Sequence, residues 1–302
     1  MAFFFTMYFT NDTIVFLDGN WIPAEQANVS LFSQTMHYGT GVLEGIRSYR
    51  TENHYKVFKA QEHFERLKHS AELMFMPLNY SVQELTQIAY ALLEKNNLTD
   101  AYIRPLVYAD QDMLLRPTGK AHIFMAAWKW KKYNGNKPLE VMVSQYRKPS
   151  GAAVPIEAKV VGNYSAATLA SAQARQLGYH EALLLDNDGF VAEGPVSNFF
   201  YEKDGVLYTP KKAKILAGIT RATIFEMAKE LNIEIQEKDI SVDELYEADQ
   251  AFFCGTASEI SQIKSINGEE LKGVWEESAS YSLHFYYQRK VRFNELEDLT
   301  IV

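Results

Sequence analysis

The sequence predicts a mixed α/β (α+β) protein of two domains, on three observations. A chain of 302 residues is longer than a single hydrophobic core usually fills. Segments with helical apolar spacing alternate with short apolar runs of strand length in both halves. Between the halves lies YNGNKP, Tyr133–Pro138, whose Asn, Gly and Pro suit a linker. The expected division is a small N-terminal domain over 1–132, a linker over 133–138 and a larger, β-rich domain over 139–302.

Ile14–Phe16, the turn Asp18-Gly19-Asn20 and Trp21-Ile22 read as strand, tight turn and strand. Ala60–Met76 sets Phe64, Leu67, Ala71 and Met74 at helical spacing with charges between them. Val82–Asn96 repeats that pattern through Leu85, Ile88, Ala91 and Leu92. Tyr102–Tyr108 and His122–Trp128 are strand-like, and the first unit closes near Trp130. Past the linker, Glu140–Ser144 predicts a strand and Tyr164–Leu177 a helix. Ala182–Leu185, the turn Asp186–Gly189, Phe190–Ala192 and Asn198–Tyr201 predict antiparallel strands. Thr220–Leu231 predicts an amphipathic helix with Ile224, Met227, Ala228 and Leu231 on one face. Gln250–Cys254 predicts a short buried strand running into Gly255-Thr256. A cleft between the two domains is the expected ligand site.

Composition narrows the function classes. With 47% apolar and 23% charged residues the chain can bury a sizeable core. A net charge of -8 argues against nucleic acid as a partner, because phosphate binding wants a basic face. The WKWKK run at Trp128–Lys132 is a local exception, read as a solvated loop or strand edge. Cys254 is the single cysteine, so no internal disulfide can form and a reducing compartment is expected. The aromatic N-terminus lacks the positive region of a signal peptide, and no apolar run approaches the ~20 residues of a spanning helix. The sequons at Asn28, Asn97 and Asn163 are then chance matches. The expectation is a soluble, cytoplasmic protein with neither a nucleic-acid nor a membrane partner.

Each chemical signal is weak when taken alone. Lys159-Val-Val-Gly-Asn-Tyr164 places an amine and a phenol on either side of a glycine, but a lysine among apolar residues usually snorkels to solvent. Leu216-Ala-Gly218-Ile219-Thr220 opens a helix, with the Thr220 hydroxyl at the expected N-cap. Such a terminus offers free N–H groups to an anion. Gly255-Thr256-Ala257 follows a strand and can form a second anion nest. Glu193-Gly194 follows a strand and can present a carboxylate to a cleft. Dinucleotide, Walker and nucleophile-elbow motifs are absent, and no His or Cys spacing fits a metal. Asp186-Asn-Asp-Gly189 lacks the terminal glutamate of a calcium loop and reads as a hairpin turn. His37 reads as structural, and Cys254, inside an apolar strand, as inert.

Joined in order, the pieces carry more. They are MHYGTGVLEGIRSY (36–49), EHFERL (62–67), KNNLTDAYIRPL (95–106), KVVGNY (159–164), EALLLDNDGFVAEG (181–194), LAGITR (216–221) and CGTASEI (254–260). Through them the chain resembles the fold-type IV pyridoxal-phosphate enzymes, and among these the branched-chain amino-acid aminotransferases. The resemblance implies pyridoxal 5'-phosphate at the domain interface and Lys159 as the lysine of the internal aldimine. It implies Tyr164 on the cofactor's phenolic oxygen, Glu193 at the pyridine nitrogen and Leu216 on the ring. Lys59, Gly218, Ile219, Thr220, Gly255 and Thr256 complete the implied cofactor set, mainly around the phosphate. Tyr38, Leu43, Tyr102, Arg104, Trp130, Tyr133, Thr256 and Ala257 form the implied substrate set, with Arg104 as a fork for glutamate's distal carboxylate.

The implied reaction is ping-pong transamination of leucine, isoleucine or valine with 2-oxoglutarate. The implied assembly is at least a homodimer, with Tyr38 reaching the neighbouring subunit's site. Three departures from the family pattern are present. Lys59 stands for an arginine, Leu43 for a phenylalanine, and Pro195-Val196 for small residues. Readings of the same fold that stay open are a 4-amino-4-deoxychorismate lyase and a D-amino-acid or R-amine transaminase. A non-catalytic relative would be expected to lack Lys159.

Overall fold

A computed structural model describes residues 8–52, 54–116, 119–130 and 137–292. The fold is mixed α/β and divides into two compact units. The first holds the described residues up to Trp130 together with Ala158–Gly162, and the second holds the rest. The five residues around Lys159, expected in the larger domain, therefore pack with the first unit. Of the expected linker only Lys137 and Pro138 lie among the described residues.

The first unit begins with the hairpin β1 (Ile14–Leu17) and β2 (Asn20–Pro23), then the short helix α1 (Gln34–Tyr38). Next come β3 (Val42–Leu43), β4 (Ile46–Arg50) and β5 (Tyr55–Val57). Helices α2 (Ala60–Leu73) and α3 (Val82–Lys95) precede the long strands β6 (Ala101–Ala109) and β7 (Ala121–Lys129). The strands form one sheet in the order β2-β1-β7-β6-β4-β5, with β3 on β6. Helix α2 buries His63, Phe64, Leu67, Ser70 and Ala71, a stripe at helical spacing that includes two polar residues. Helix α3 starts at a capping box in which the Ser81 hydroxyl takes the Glu84 N–H at 3.1 Å. Strands β3 and β4 are two pieces of one edge on β6, interrupted at Glu44–Gly45, where Glu44 N–H bonds Pro105 O at 3.0 Å.

The second unit runs β8 (Leu139–Arg147), α4 (Tyr164–Gln176), β9 (Glu181–Leu185), β10 (Val191–Glu193) and β11 (Asn198–Lys203). It continues through β12 (Val206–Pro210), α5 (Ile219–Glu230), β13 (Ile235–Lys238) and α6 (Val242–Leu245). It ends with β14 (Gln250–Gly255), β15 (Glu259–Ile266), β16 (Glu269–Glu270) and α7 (Ala279–Lys290). Its strands follow the order β10-β9-β8-β15-β14-β11-β12-β13, and a further pairing of β10 with β11 closes six of them into a ring. Phe199 and Phe253 are among the fully buried residues of its core.

The Asp186–Gly189 turn is a hairpin in which Asp186 Oδ1 accepts the N–H groups of Asp188 and Phe190, both at 2.9 Å. The WKWKK run ends β7 with Trp128 and Lys129, while Lys131 and Lys132 lie outside the described residues. Among the described residues no helix is long and apolar enough to cross a membrane, and no group of ligand side chains could hold a metal ion.

Candidate functional site

In the first unit Lys159 sits half-buried between buried Ala158 and Val160. Its segment runs antiparallel to residues 39–43. Leu43 N–H bonds Lys159 O at 3.0 Å, Val161 N–H bonds Gly41 O at 2.8 Å, and Gly162 N–H bonds Gly39 O at 3.0 Å. The Lys159 N–H itself is taken by the buried hydroxyl of Ser70 at 3.1 Å. With both backbone polar groups engaged, the side chain is the only adjustable part of this lysine. Leu43, an expected substrate wall, is its neighbour in the ladder.

The expected substrate residues of β6 form a compact group. Arg104 Nη2 donates to the Tyr102 hydroxyl at 3.1 Å, with the guanidinium 5.4 Å from the ring centre. The Tyr102 ring lies 4.8 Å from that of Trp130 and 5.3 Å from that of Trp128. Opposite, Gly45 leaves room for the phenol, because a Cβ there would stand 1.8 Å from the Tyr102 oxygen. Arg104 Nε is buried with no hydrogen-bond partner among the described residues. A guanidinium in that state suits a carboxylate supplied from outside. Lys59 caps α2 in the left-handed region at φ 53° and pairs with Glu62 at 3.0 Å. Tyr38 is exposed, with its hydroxyl donating to Met113 O at 3.1 Å. Tyr133 lies outside the described residues.

In the second unit Glu193 ends β10 directly across from Asn198. Its Oε1 pairs with Lys148, and its Oε2 accepts Asn198 Nδ2 at 2.9 Å and Leu216 N–H at 3.3 Å. A carboxylate offers about four lone-pair positions, so these three donors leave one open. Asn198 also donates to Leu216 O at 3.0 Å. Its Oδ1 lies against Gly218, where an added Cβ would stand 1.9 Å away.

The N-cap of α5 is Gly218, not Thr220 as expected. Thr220 lies in the first turn and is buried, because β11 presses Asn198 against the preceding residues and the helix starts one residue earlier. Glycine has no cap side chain, so the first amides, including those of Ile219 and Thr220, remain available to an anion. The 256–258 turn joins Gly255 of β14 to β15 and carries Thr256 and Ala257. Cys254 is fully buried, and burial pushes its thiol far up, as expected of an inert cysteine. Tyr164 opens α4, joined to the Lys159 segment by a 3-10 turn over Val161–Asn163.

Lys148 and Asn198 were not anticipated. Asn198 was legible in principle: a four-residue Gly194–Ser197 turn sets it opposite Glu193, with Gly194 N–H bonded to Ser197 O at 2.8 Å. Lys148 carries no comparable signal, since its approach to Glu193 depends on how β8, β9 and β10 pair.

The family model "Amino-transferase class IV" matches residues 41–266. A branched-chain-amino-acid aminotransferase of Pseudomonas aeruginosa (strain PAO1) is 40% identical over 266 residues, 86% of this chain and 87% of that one. The crystal structure of a branched-chain aminotransferase from the thermophilic archaeon Thermoproteus uzoniensis with norvaline superposes with a TM-score of 0.89 at 35% identity, covering 92% of this chain and 94% of that one. The PLP-form (holo-form) of the branched-chain amino acid aminotransferase from Thermobaculum terrenum gives a TM-score of 0.87 at 32% identity, covering 93% and 94%. The chain belongs to the class IV aminotransferases.

Proposed function

We propose that this chain transfers the amino group of leucine, isoleucine or valine to 2-oxoglutarate, giving branched-chain 2-oxo acids and L-glutamate in a ping-pong cycle. The observation that carries the reading is the Leu43 N–H to Lys159 O bond of 3.0 Å, which sets the reactive amine beside the substrate wall. Pyridoxal 5'-phosphate, when bound, supplies the electron sink for charge that develops at the substrate α-carbon. The residues present fit it. Lys159 offers the amine that carries it, and Glu193 keeps one acceptor position for its ring nitrogen. The uncapped start of α5 at Gly218 offers Ile219 and Thr220 amides to its phosphate.

The remaining roles belong to the chain's own side chains. Lys159 Nζ takes the proton from the substrate α-carbon and delivers it back on the other side of the exchange. Lys148 and Asn198 keep Glu193 from swinging away. Leu216 packs on the ring, Tyr164 donates to its phenolic oxygen, and Thr256 joins the phosphate set. Lys59 adds a point charge to that set without the fork of an arginine. Tyr102, Trp130 and Leu43 wall the apolar side chain, and Ala257 helps seat the α-carboxylate. Arg104, with its buried Nε still to be satisfied, takes the distal carboxylate of glutamate.

The assembly we propose is a homodimer. Leu31, Phe32, Met36 and Tyr38 are exposed on one segment and Leu114 and Leu115 on another, joined by the Tyr38–Met113 hydrogen bond. Exposed apolar side chains grouped in this way call for a cover, and a second copy provides one. A cytoplasmic setting suits the single buried thiol of Cys254.

A panel of L- and D-amino acids with 2-oxoglutarate, run on the holoenzyme and on Lys159→Ala, tests the reading. Turnover of L-leucine, L-isoleucine and L-valine that vanishes in Lys159→Ala is expected. Turnover confined to D-amino acids, release of pyruvate from 4-amino-4-deoxychorismate, or normal turnover by Lys159→Ala would overturn it.

A further inference from the structure

The EHFERL motif has no role in the reaction as described so far, yet it supplies two members of a buried charge cluster. Glu44 lies at the interruption between β3 and β4 and is fully buried. Its Oε2 accepts His63 Nδ1 at 2.7 Å, Arg66 Nη2 at 3.0 Å and the Gly45 N–H at 3.2 Å, and its Oε1 accepts Arg66 Nε at 2.5 Å. His63 and Arg66 are one turn apart on α2. One turn further along the same face, Ser70 holds the Lys159 N–H.

One helix face thus grips two segments. Through Glu44 it fixes Gly45, whose missing side chain makes room for Tyr102, and through Ser70 it fixes Lys159. We propose that Glu44, clamped by His63 and Arg66, is a positioning residue for transamination, setting the Lys159 segment in register with the Gly45–Tyr102 substrate wall. This rests on the assignment of Lys159 as the cofactor lysine.

The protonation states suit such a clamp. Burial alone would raise the Glu44 pKa, but Arg66 and His63 outweigh it and hold the carboxyl well below its ordinary range. Burial pushes the His63 pKa down against the pull of Glu44, and the nearby charges of Arg66 and Lys159 push it the same way. The imidazole is therefore neutral, and because a carboxylate only accepts, its Nδ1 carries the proton. The cluster is one cation, one anion and one neutral donor.

The test is Glu44→Gln, which keeps the shape and removes the anion, with kcat and KM for L-leucine measured per bound cofactor. A fall in kcat of about 10- to 100-fold, with KM changed less than about threefold, is expected of a misplaced amine. Hydrogen exchange of the apoprotein gives a second readout. Peptides covering 42–46 and 158–162 should exchange faster, while those of α5 and α7 stay as in the parent protein. An unchanged kcat per bound cofactor, or exchange raised equally throughout the chain, overturns the proposal. If Glu44→Gln does not fold, Arg66→Lys keeps the charge, loses the fork, and should show the same two effects in smaller measure. Normal turnover by Lys159→Ala would instead sink the assignment beneath it, whatever Glu44→Gln does.

Discussion

Asn198 donates from Nδ2 to Glu193 Oε2 at 2.9 Å, while its Oδ1 closes against Gly218 at the start of α5. One amide thus ties the proposed ring-nitrogen partner to the proposed phosphate site. Asn198→Ala removes a hydrogen bond to a charged acceptor, at a cost of about 1.5–3 kcal/mol. Cofactor affinity, followed by tryptophan fluorescence, should weaken by about 10- to 100-fold. Unchanged affinity would show that Glu193 does not need this support.

Gly45 and Tyr102 make a second tight pair. A methyl group at Gly45 would overlap the phenol, with 1.8 Å between Cβ and the hydroxyl oxygen. Gly45→Ala therefore has to displace Tyr102 and its hydrogen bond from Arg104. We expect kcat/KM for L-leucine to fall by about 10- to 100-fold, since small misplacements cost on that scale. Cofactor binding should stay within about twofold of the parent protein. Steady-state kinetics beside a fluorescence titration check both.

Arg104, in its proposed role, should separate the two half-reactions. Its buried Nε lacks a partner among the described residues, so the loss of the guanidinium should be felt most by a substrate bringing a second carboxylate. Arg104→Ala should lower kcat/KM for glutamate and 2-oxoglutarate by about 10- to 100-fold more than for leucine. Single-turnover rates for each substrate measure that ratio. Equal losses would remove Arg104 from the proposed role.

His122 offers a test by pH. Partial burial lowers its pKa, but hydrogen bonds and charges from Asp18, at 2.6 Å, and Asp110, at 3.4 Å, more than compensate and raise it above 6.5. A raised folded-state pKa means stabilisation that is full below about pH 6.5 and lost as pH rises through the folded value. The difference in urea midpoint between the parent protein and His122→Gln should be largest in mild acid and shrink toward alkaline pH. A difference independent of pH would exclude this linkage.

Much of the fold was legible because it rests on local periodicity. Helix α2 was expected over Ala60–Met76 and spans Ala60–Leu73, and α3 was expected over Val82–Asn96 and spans Val82–Lys95. Both bury one apolar stripe, which a 3.6-residue period reveals. The long strands β6 and β7 were likewise found within a residue or so of their ends. Helix α7 went unread. Its ASYSLHFYYQRK run has little amphipathic pattern, and its start is fixed from afar by buried Glu202, which accepts the Ser280 N–H at 2.8 Å. The two-residue strand β3 is too short for any period, and it exists because β6 and the Lys159 segment flank it.

The site shows the same divide. Lys159, Glu193 and the Gly218 turn lie in compact motifs, so their order along the chain marks them. Lys148 and Glu44 act by reaching across the fold, and nothing in their immediate neighbours records what they meet. The Thr220 N-cap was placed two residues too late because a hydroxyl is the commoner cap, while here close packing against Asn198 demands glycine.

The chain leaves the first unit at Trp130 and comes back for Ala158–Gly162 alone. A ribosome making this protein must therefore synthesise β8 before it can deliver the last piece of the earlier unit. Until then the Leu43 and Val161 amide bonds cannot form, and the edge at residues 39–43 stays open. A fragment stopped at Trp130 would expose that edge, a template for unwanted strand pairing. The Lys159 segment thus arrives as the closing stitch, so a nascent chain that can display it has already covered its own open strand edge.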